Sequence, residues 1–158
     1  MKMNPWMSTS GLLALCVAPW ASAQQSLAAA PAQAPLGRWI TESGNLEVDI
    51  APCAGAALCG KVVRVLGNRS MSAPGTDMAA ADAGPALGMT LLSGLRPTDG
   101  RNTEYRGEIY NRENAKTYRA TFTPAEPGQL LVRAYVGIPL FGKTQVWRRP
   151  AAEHGGVQ

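Results

Sequence analysis

Residues 105–149 decide the fold. Read in order they contain YRGEIY (105–110), KTYRATF (116–122), QLLVRAYV (129–136) and KTQVWRR (143–149), four short β-prone runs separated by turn-forming residues at 111–115, 124–128 and 137–142. In the second run Tyr118, Ala120 and Phe122 alternate with Thr117, Arg119 and Thr121; in the third, Leu130, Val132, Ala134 and Val136 form one aliphatic face. A period of two marks a strand with one side in a core. These two faces are the predicted core wall, and the four runs read as three hairpins in series.

Working outward, the same signature recurs upstream. Leu46, Val48 and Ile50 alternate with Glu47 and Asp49, after a short strand at 38–41 and a Ser43-Gly44-Asn45 turn. Residues 58–66 (LCGKVVRVL) break the alternation, because Val62, Val63, Val65 and Leu66 put apolar groups on both faces. That pattern implies a strand covered on both sides or bent near Gly60. Residues 89–95 form a weaker strand, closed by a turn at 96–102. Between them, residues 67–88 carry no period, and a loop of 22 residues is long for a compact domain. Its Met71 and Met78, with Met89, are expected to cover the core rather than line an apolar mouth.

Eight predicted strands result, at 38–41, 45–51, 58–66, 89–95, 103–110, 116–123, 129–136 and 143–149. Sequential short strands with tight turns imply an all-β, antiparallel up-and-down meander. Eight is also the number at which a small sheet closes into a barrel holding side chains or one small ligand. The expected interior, and any ligand-facing surface, is Val48, Ile50, Tyr118, Phe122, Leu130, Val132 and Val136. In the last turn, Ile138, Leu140 and Phe141 form either an exposed apolar patch or a plug tucked under the barrel end, and the cost of exposing them favours the plug.

The ends of the chain read differently. Lys2, the apolar run 11–18 and the small residues Ala21 and Ala23 compose an export signal with cleavage expected after Ala23. The run is too short to span a bilayer, which takes about 20 residues. Cys16 follows Leu15 rather than a small residue, which argues against lipid attachment. Residues 24–35 (QQSLAAAPAQAP) are expected to form a disordered tether, residues 36–149 the domain, and residues 150–158, with His154, a flexible tail.

Charge and cysteine content limit the functional classes. The formal net charge is +4 over 158 residues; losing residues 1–23 removes Lys2 and leaves 14 basic against 11 acidic groups. Arg101, Arg106, Arg112, Lys116 and Arg119 are interleaved with Glu104, Glu108 and Glu113, unlike the clustered cations and stacking aromatics of a nucleic-acid groove. Beyond residue 23 the cysteines are Cys53 and Cys59, an even pair that in an exported chain reads as a disulfide pinning a turn. No cofactor or metal site is expected, since zinc needs more ligands than this pair and a tail histidine supply. Nucleophile-elbow, phosphate-loop and in-domain histidine signals are all absent from the sequence, so an enzyme is not expected.

Several segments together resemble one family: Gly37-Arg38-Trp39 with Thr41 and Gly44, Cys53 with Leu58-Cys59-Gly60-Lys61-Val62-Val63, Gly94-Leu95-Arg96-Pro97, Gly107-Glu108-Ile109-Tyr110-Asn111 with Lys116-Thr117-Tyr118, and Gly137 with Thr144-Gln145-Val146-Trp147. They resemble the DUF2147 family, small exported bacterial proteins without an assigned activity, over residues 36–149. The sequence departs from that pattern at Arg64, where an aromatic residue is common, and in an Ala- and Gly-rich 67–88 loop. A looser similarity to the calycins, the lipocalin-like barrels, rests on Gly37-x-Trp39 and a basic residue on the last strand. It implies that Trp39 packs against Arg148 or Arg149 at the barrel end. The export signal implies a periplasmic or secreted protein, and analogy with other small closed barrels implies one that binds a small apolar or amphipathic ligand. The alternative is an envelope protein-protein interaction module whose barrel is filled and which acts through its loops.

Overall fold

The structure, a computed structural model, describes residues 34–151. The predicted signal segment with its cleavage site, most of the tether, and His154 lie outside the described residues. Eight strands follow in order: β1 Gly37–Ile40, β2 Leu46–Pro52, β3 Leu58–Val65, β4 Thr90–Pro97, β5 Tyr105–Asn111, β6 Lys116–Pro124, β7 Gln129–Tyr135 and β8 Lys143–Arg148, with a 3-10 turn at Pro139–Phe141 before the last. Each strand pairs antiparallel with the next, and β8 returns to β1, closing an up-and-down barrel. β4 runs on through Arg96 and Pro97, which the sequence reading gave to a turn.

The broken alternation in β3 is a bulge. Glu47 stands opposite Arg64 while Val48 stands opposite Val62, so Val63 is the extra residue. A bulge reverses the side-chain parity of a strand. Val62 is therefore buried in the core, while Val65, three positions on, faces the interior at the barrel mouth. On the outer face, Glu47 is buried to 2% exposure and bonded to Arg38 at 3.1 Å and Arg64 at 3.3 Å. The alternation alone placed it on a solvated surface. A buried carboxylate held by two cations is the arrangement that burial demands.

Two glycines permit the strands to pack this closely. A Cβ on Gly60 would lie 2.8 Å from Leu92 and 2.9 Å from Val48 inside the barrel. One on Gly107 would meet the Ser93 carbonyl oxygen at 2.7 Å and Leu95 Cα at 3.0 Å, where β4 leans on β5 across its own register shift.

The core is a continuous cluster including Trp39, Val48, Ile50, Val62, Leu92, Leu95, Tyr105, Phe122, Leu130, Val132 and Trp147. It fills the barrel end that carries the β2–β3, β4–β5 and β6–β7 turns. Trp39 closes that end: its indole Nε1–H donates to the Pro35 carbonyl at 2.9 Å, and the Arg149 guanidinium lies 3.8 Å from its ring centroid. Of the two candidates it is Arg149 that stacks, whereas Arg148 is an exposed residue in register with Ile40 and Gln129. Pro35 is fully buried and Ala34 packs on the core, so the last two residues of the predicted tether belong to the domain.

Cys53 and Cys59 are disulfide-bonded, with their Cα atoms 5.7 Å apart. Cys59 sits in β3 opposite Ala51, and Cys53 follows the last residue of β2. The bond therefore ties the β2–β3 turn across its base.

Candidate functional site

The opposite end of the barrel is open. There the strand ends of β1–β2, β3, β5–β6 and β7–β8 surround a cavity of about 790 Å³. Its apolar wall includes Leu46, Leu91, Ile109, Tyr118, Ala134 and Trp147. Polar groups, among them Asn45, Asn111, Gln145, Arg112 and Lys143, also line it. Arg112 donates from Nη2 to the Gly84 carbonyl at 2.8 Å, while its Nε is buried without a hydrogen-bond partner among the described residues.

The long loop, residues 67–88, forms one side of the mouth and is tied down at both flanks. On one flank the Asn45 side-chain amide donates to the Arg69 carbonyl and accepts from the Arg69 amide, both at 2.8 Å. Arg69 also donates to the Ser43 carbonyl at 2.8 Å. On the other, the Glu113 carboxylate accepts from the hydroxyls of Ser70 and Ser72 and from the Met71 amide. Those hydroxyl bonds, Ser70 first, hold the Glu113 pKa below its ordinary value. Farther along, Asp82 accepts from the Gly84 amide at 2.8 Å and the Tyr110 hydroxyl at 3.0 Å, and these bonds lower its pKa in that order. The Tyr110 pKa is raised, by burial first and by Asp82 second. Met71 and Met78 line the cavity, contrary to the expectation that they cover the core; Met89 does pack against the core. No period marks these anchors in the sequence, because each is a contact between loop and strand end.

The interior residues read from the sequence divide in two. Val48, Ile50, Phe122, Leu130 and Val132 are buried in the packed half and do not line the cavity; Tyr118 and Val136 do. Val136 is 74% exposed at the rim rather than part of an inner wall. Alternation reports the inward face of a strand, not the height at which side chains stop filling the barrel. For the same reason Leu46, Leu91, Ile109 and Trp147 were not singled out. Ile138, Leu140 and Phe141 are exposed at 52%, 74% and 80%, so the turn does not plug a barrel end. Arg133 holds it outward: its Nε donates to the Pro139 carbonyl at 2.6 Å, Nη2 to the Leu140 carbonyl at 2.9 Å and Nη1 to the Thr144 hydroxyl at 2.7 Å.

A family model described as "Uncharacterized protein conserved in bacteria (DUF2147)" matches residues 37–149, the span of the barrel. The chain belongs to the DUF2147 family. Among solved structures, the DUF2147 barrel is similar to a protein from the human pathogen Helicobacter pylori that belongs to the lipocalin family. The two superpose with a TM-score of 0.53 at 18% identity, over 75% of this chain and 84% of that one. At that identity the likeness concerns the fold. No curated protein matches the sequence. Within the DUF2147 barrel no three His, Cys, Asp or Glu residues among those described come together to hold a metal ion, and no described helix is long and apolar enough to cross a membrane.

Proposed function

We propose that this DUF2147 protein is a binding protein, not a catalyst, that carries or senses a small amphipathic molecule in the open end of its barrel. The observation that carries this reading is the half-filled interior: one end is packed, while the other encloses about 790 Å³. That volume falls within the roughly 300–1,000 Å³ of small-molecule sites. The apolar part of the ligand lies against Leu46, Leu91, Ile109 and Trp147. Its polar part meets the rim, where the exposed Lys143 ammonium favours an acceptor or an anion. A periplasmic or secreted location is part of the proposal, supported by the signal-like residues 1–23 and by a disulfide that persists in oxidising compartments.

The test is native mass spectrometry of protein purified from exporting cells without refolding, compared with Ala134→Trp, which fills the cavity from β7. The expected result is an added mass lost on denaturation, or saturable binding of anilinonaphthalene sulfonate, and in either case loss of binding in the substituted protein. Absence of both signals in the parent protein, or their persistence in Ala134→Trp, overturns the proposal.

A further inference from the structure

Nine large apolar side chains are exposed among the described residues, and four of them, Val136, Ile138, Leu140 and Phe141, fall within six consecutive positions of the β7–β8 turn. Such a cluster normally marks an interaction surface. The turn is also built to keep its shape. The three donors of Arg133 take the Pro139 and Leu140 carbonyls and the Thr144 hydroxyl, and the turn's own amides bond inward, Phe141 N–H to Ile138 O at 3.3 Å and Gly142 N–H to Pro139 O at 3.0 Å. These bonds take up the Ile138, Pro139 and Leu140 carbonyls and fix the backbone of the tip, with its apolar side chains facing out.

The charges around the tip select its partner. Lys143 opens β8 one residue after the 3-10 turn, and Lys116 and Arg119 lie on β6, which pairs with β7, Arg119 in register with Tyr135. Arg148 and Arg149 lie with Glu126 at the far end of the barrel and Arg133 is bonded to the turn itself, so the cations beside the tip are Lys116, Arg119 and Lys143. Of the carboxylates at this end, Glu42 accepts from the Val146 amide on β8, Glu108 stands opposite Arg119 on β5, and Glu113 is bonded to Ser70, Ser72 and Met71. An apolar tip with cations beside it matches the interface of an anionic bilayer, where the side chains enter the acyl boundary and the cations meet the headgroups.

We propose that the β7–β8 turn is a membrane-docking tip that seats Leu140 and Phe141 in the surface of an anionic bilayer, with Lys143, Lys116 and Arg119 at its phosphates. Val136, Phe141 and Lys143 also line the cavity, so a docked barrel turns its open mouth toward the lipid. The inference does not depend on the cavity being occupied.

The test is co-sedimentation of the full chain with vesicles of phosphatidylethanolamine and phosphatidylglycerol, and with neutral phosphatidylcholine vesicles. It compares the parent, the double variant Leu140→Ser/Phe141→Ser, and Lys143→Glu. All three side chains are exposed, so melting should be unchanged. Stronger binding to the anionic vesicles is expected, with a loss of at least about tenfold in the double variant from the apolar area withdrawn and a smaller loss, confined to anionic vesicles, in Lys143→Glu. Should the double variant not fold, Lys143→Glu decides alone. Absence of binding by the parent, or binding unchanged in the variants, overturns the assignment; the latter would place the contact elsewhere, residues 1–33 included. A parent that sediments as a dimer while the double variant sediments as a monomer also overturns it, and assigns the tip to a second copy of the chain.

Discussion

The β1–β8 seam is where this barrel should open first. Its described ladder register is the single pair Ile40↔Arg148, whereas β5 and β6 are in register over seven pairs. Side chains and flanking residues complete the closure. Arg149 stacks on Trp39 and donates from Nη1 to the Arg38 carbonyl at 3.1 Å, while the Glu42 carboxylate accepts from the Val146 amide at 2.9 Å; the Arg149 amide itself bonds to the Gly128 carbonyl at 3.0 Å beside β7. Arg149→Met keeps the stem and the amide but removes the charge and the Arg38 bond. A cation–π contact with solvent access contributes about 0.5–1 kcal/mol, and a net hydrogen bond about 0.5–1.5 kcal/mol. The expected loss is therefore about 1–2.5 kcal/mol, or roughly 4–10 °C in melting temperature for a domain of this size. Urea titration measures the loss, and a double-mutant cycle with Trp39→Leu isolates the stacking term at about 0.5–1 kcal/mol. Hydrogen exchange should show β1 and β8 amides exchanging faster while β5 and β6 are unchanged. A coupling energy indistinguishable from zero, with unaltered exchange in β1, would refute the claim that this cation closes the seam.

Gly107→Ala places a methyl 2.7 Å from the Ser93 carbonyl oxygen, a backbone atom, and should cost about 1–3 kcal/mol by overpacking; denaturant titration reads it directly. The Glu113 clamp should be pH-dependent. Its folded pKa lies below the ordinary value of 4.5, so its contribution is present above that value and is lost as pH falls through the lowered folded value. Limited proteolysis with an acid-active protease should therefore cut residues 67–88 faster on acidification through that window, and Glu113→Gln should be cut readily by a neutral protease at neutral pH. Replacing both Cys53 and Cys59 by alanine should cost about 2 kcal/mol, the modest end for so short a loop. Thiol titration of denatured, unreduced protein from exporting cells should find neither cysteine free; two free thiols would contradict the disulfide.

How much of this was legible beforehand follows from the range of each interaction. Strand positions, the meander and the cysteine pairing were readable because alternation, turn residues and cysteine parity are local properties. The stacking of a basic residue on Trp39 came from resemblance, and the structure chose Arg149 over its neighbour. The bulge at Val63 was visible as a fault in the alternation, but its consequence was not. Which residues face the interior beyond a bulge depends on the partner strand.

The cavity was misplaced for a related reason. Val48, Ile50, Phe122, Leu130 and Val132 point inward as their spacing requires, yet they are packed over, and it is Leu46, Leu91, Ile109 and Tyr118, at the edge of the core, that border the cavity. The filling height is set by volumes meeting across eight strands, which no single strand encodes. The same holds for residues 67–88 and the β7–β8 turn. Asn45, Glu113 and Arg133 hold these segments by contacts between loop and strand ends, and so set which groups meet the solvent and which line the mouth. The residue pattern carried eight short antiparallel strands in a meander able to close and, away from the β3 bulge, their apolar faces, because those arise from periodicity along each strand. Where that barrel is packed, where it is open and what borders the opening were decided by the tertiary structure, because they depend on how side chains from distant strands fill a shared space.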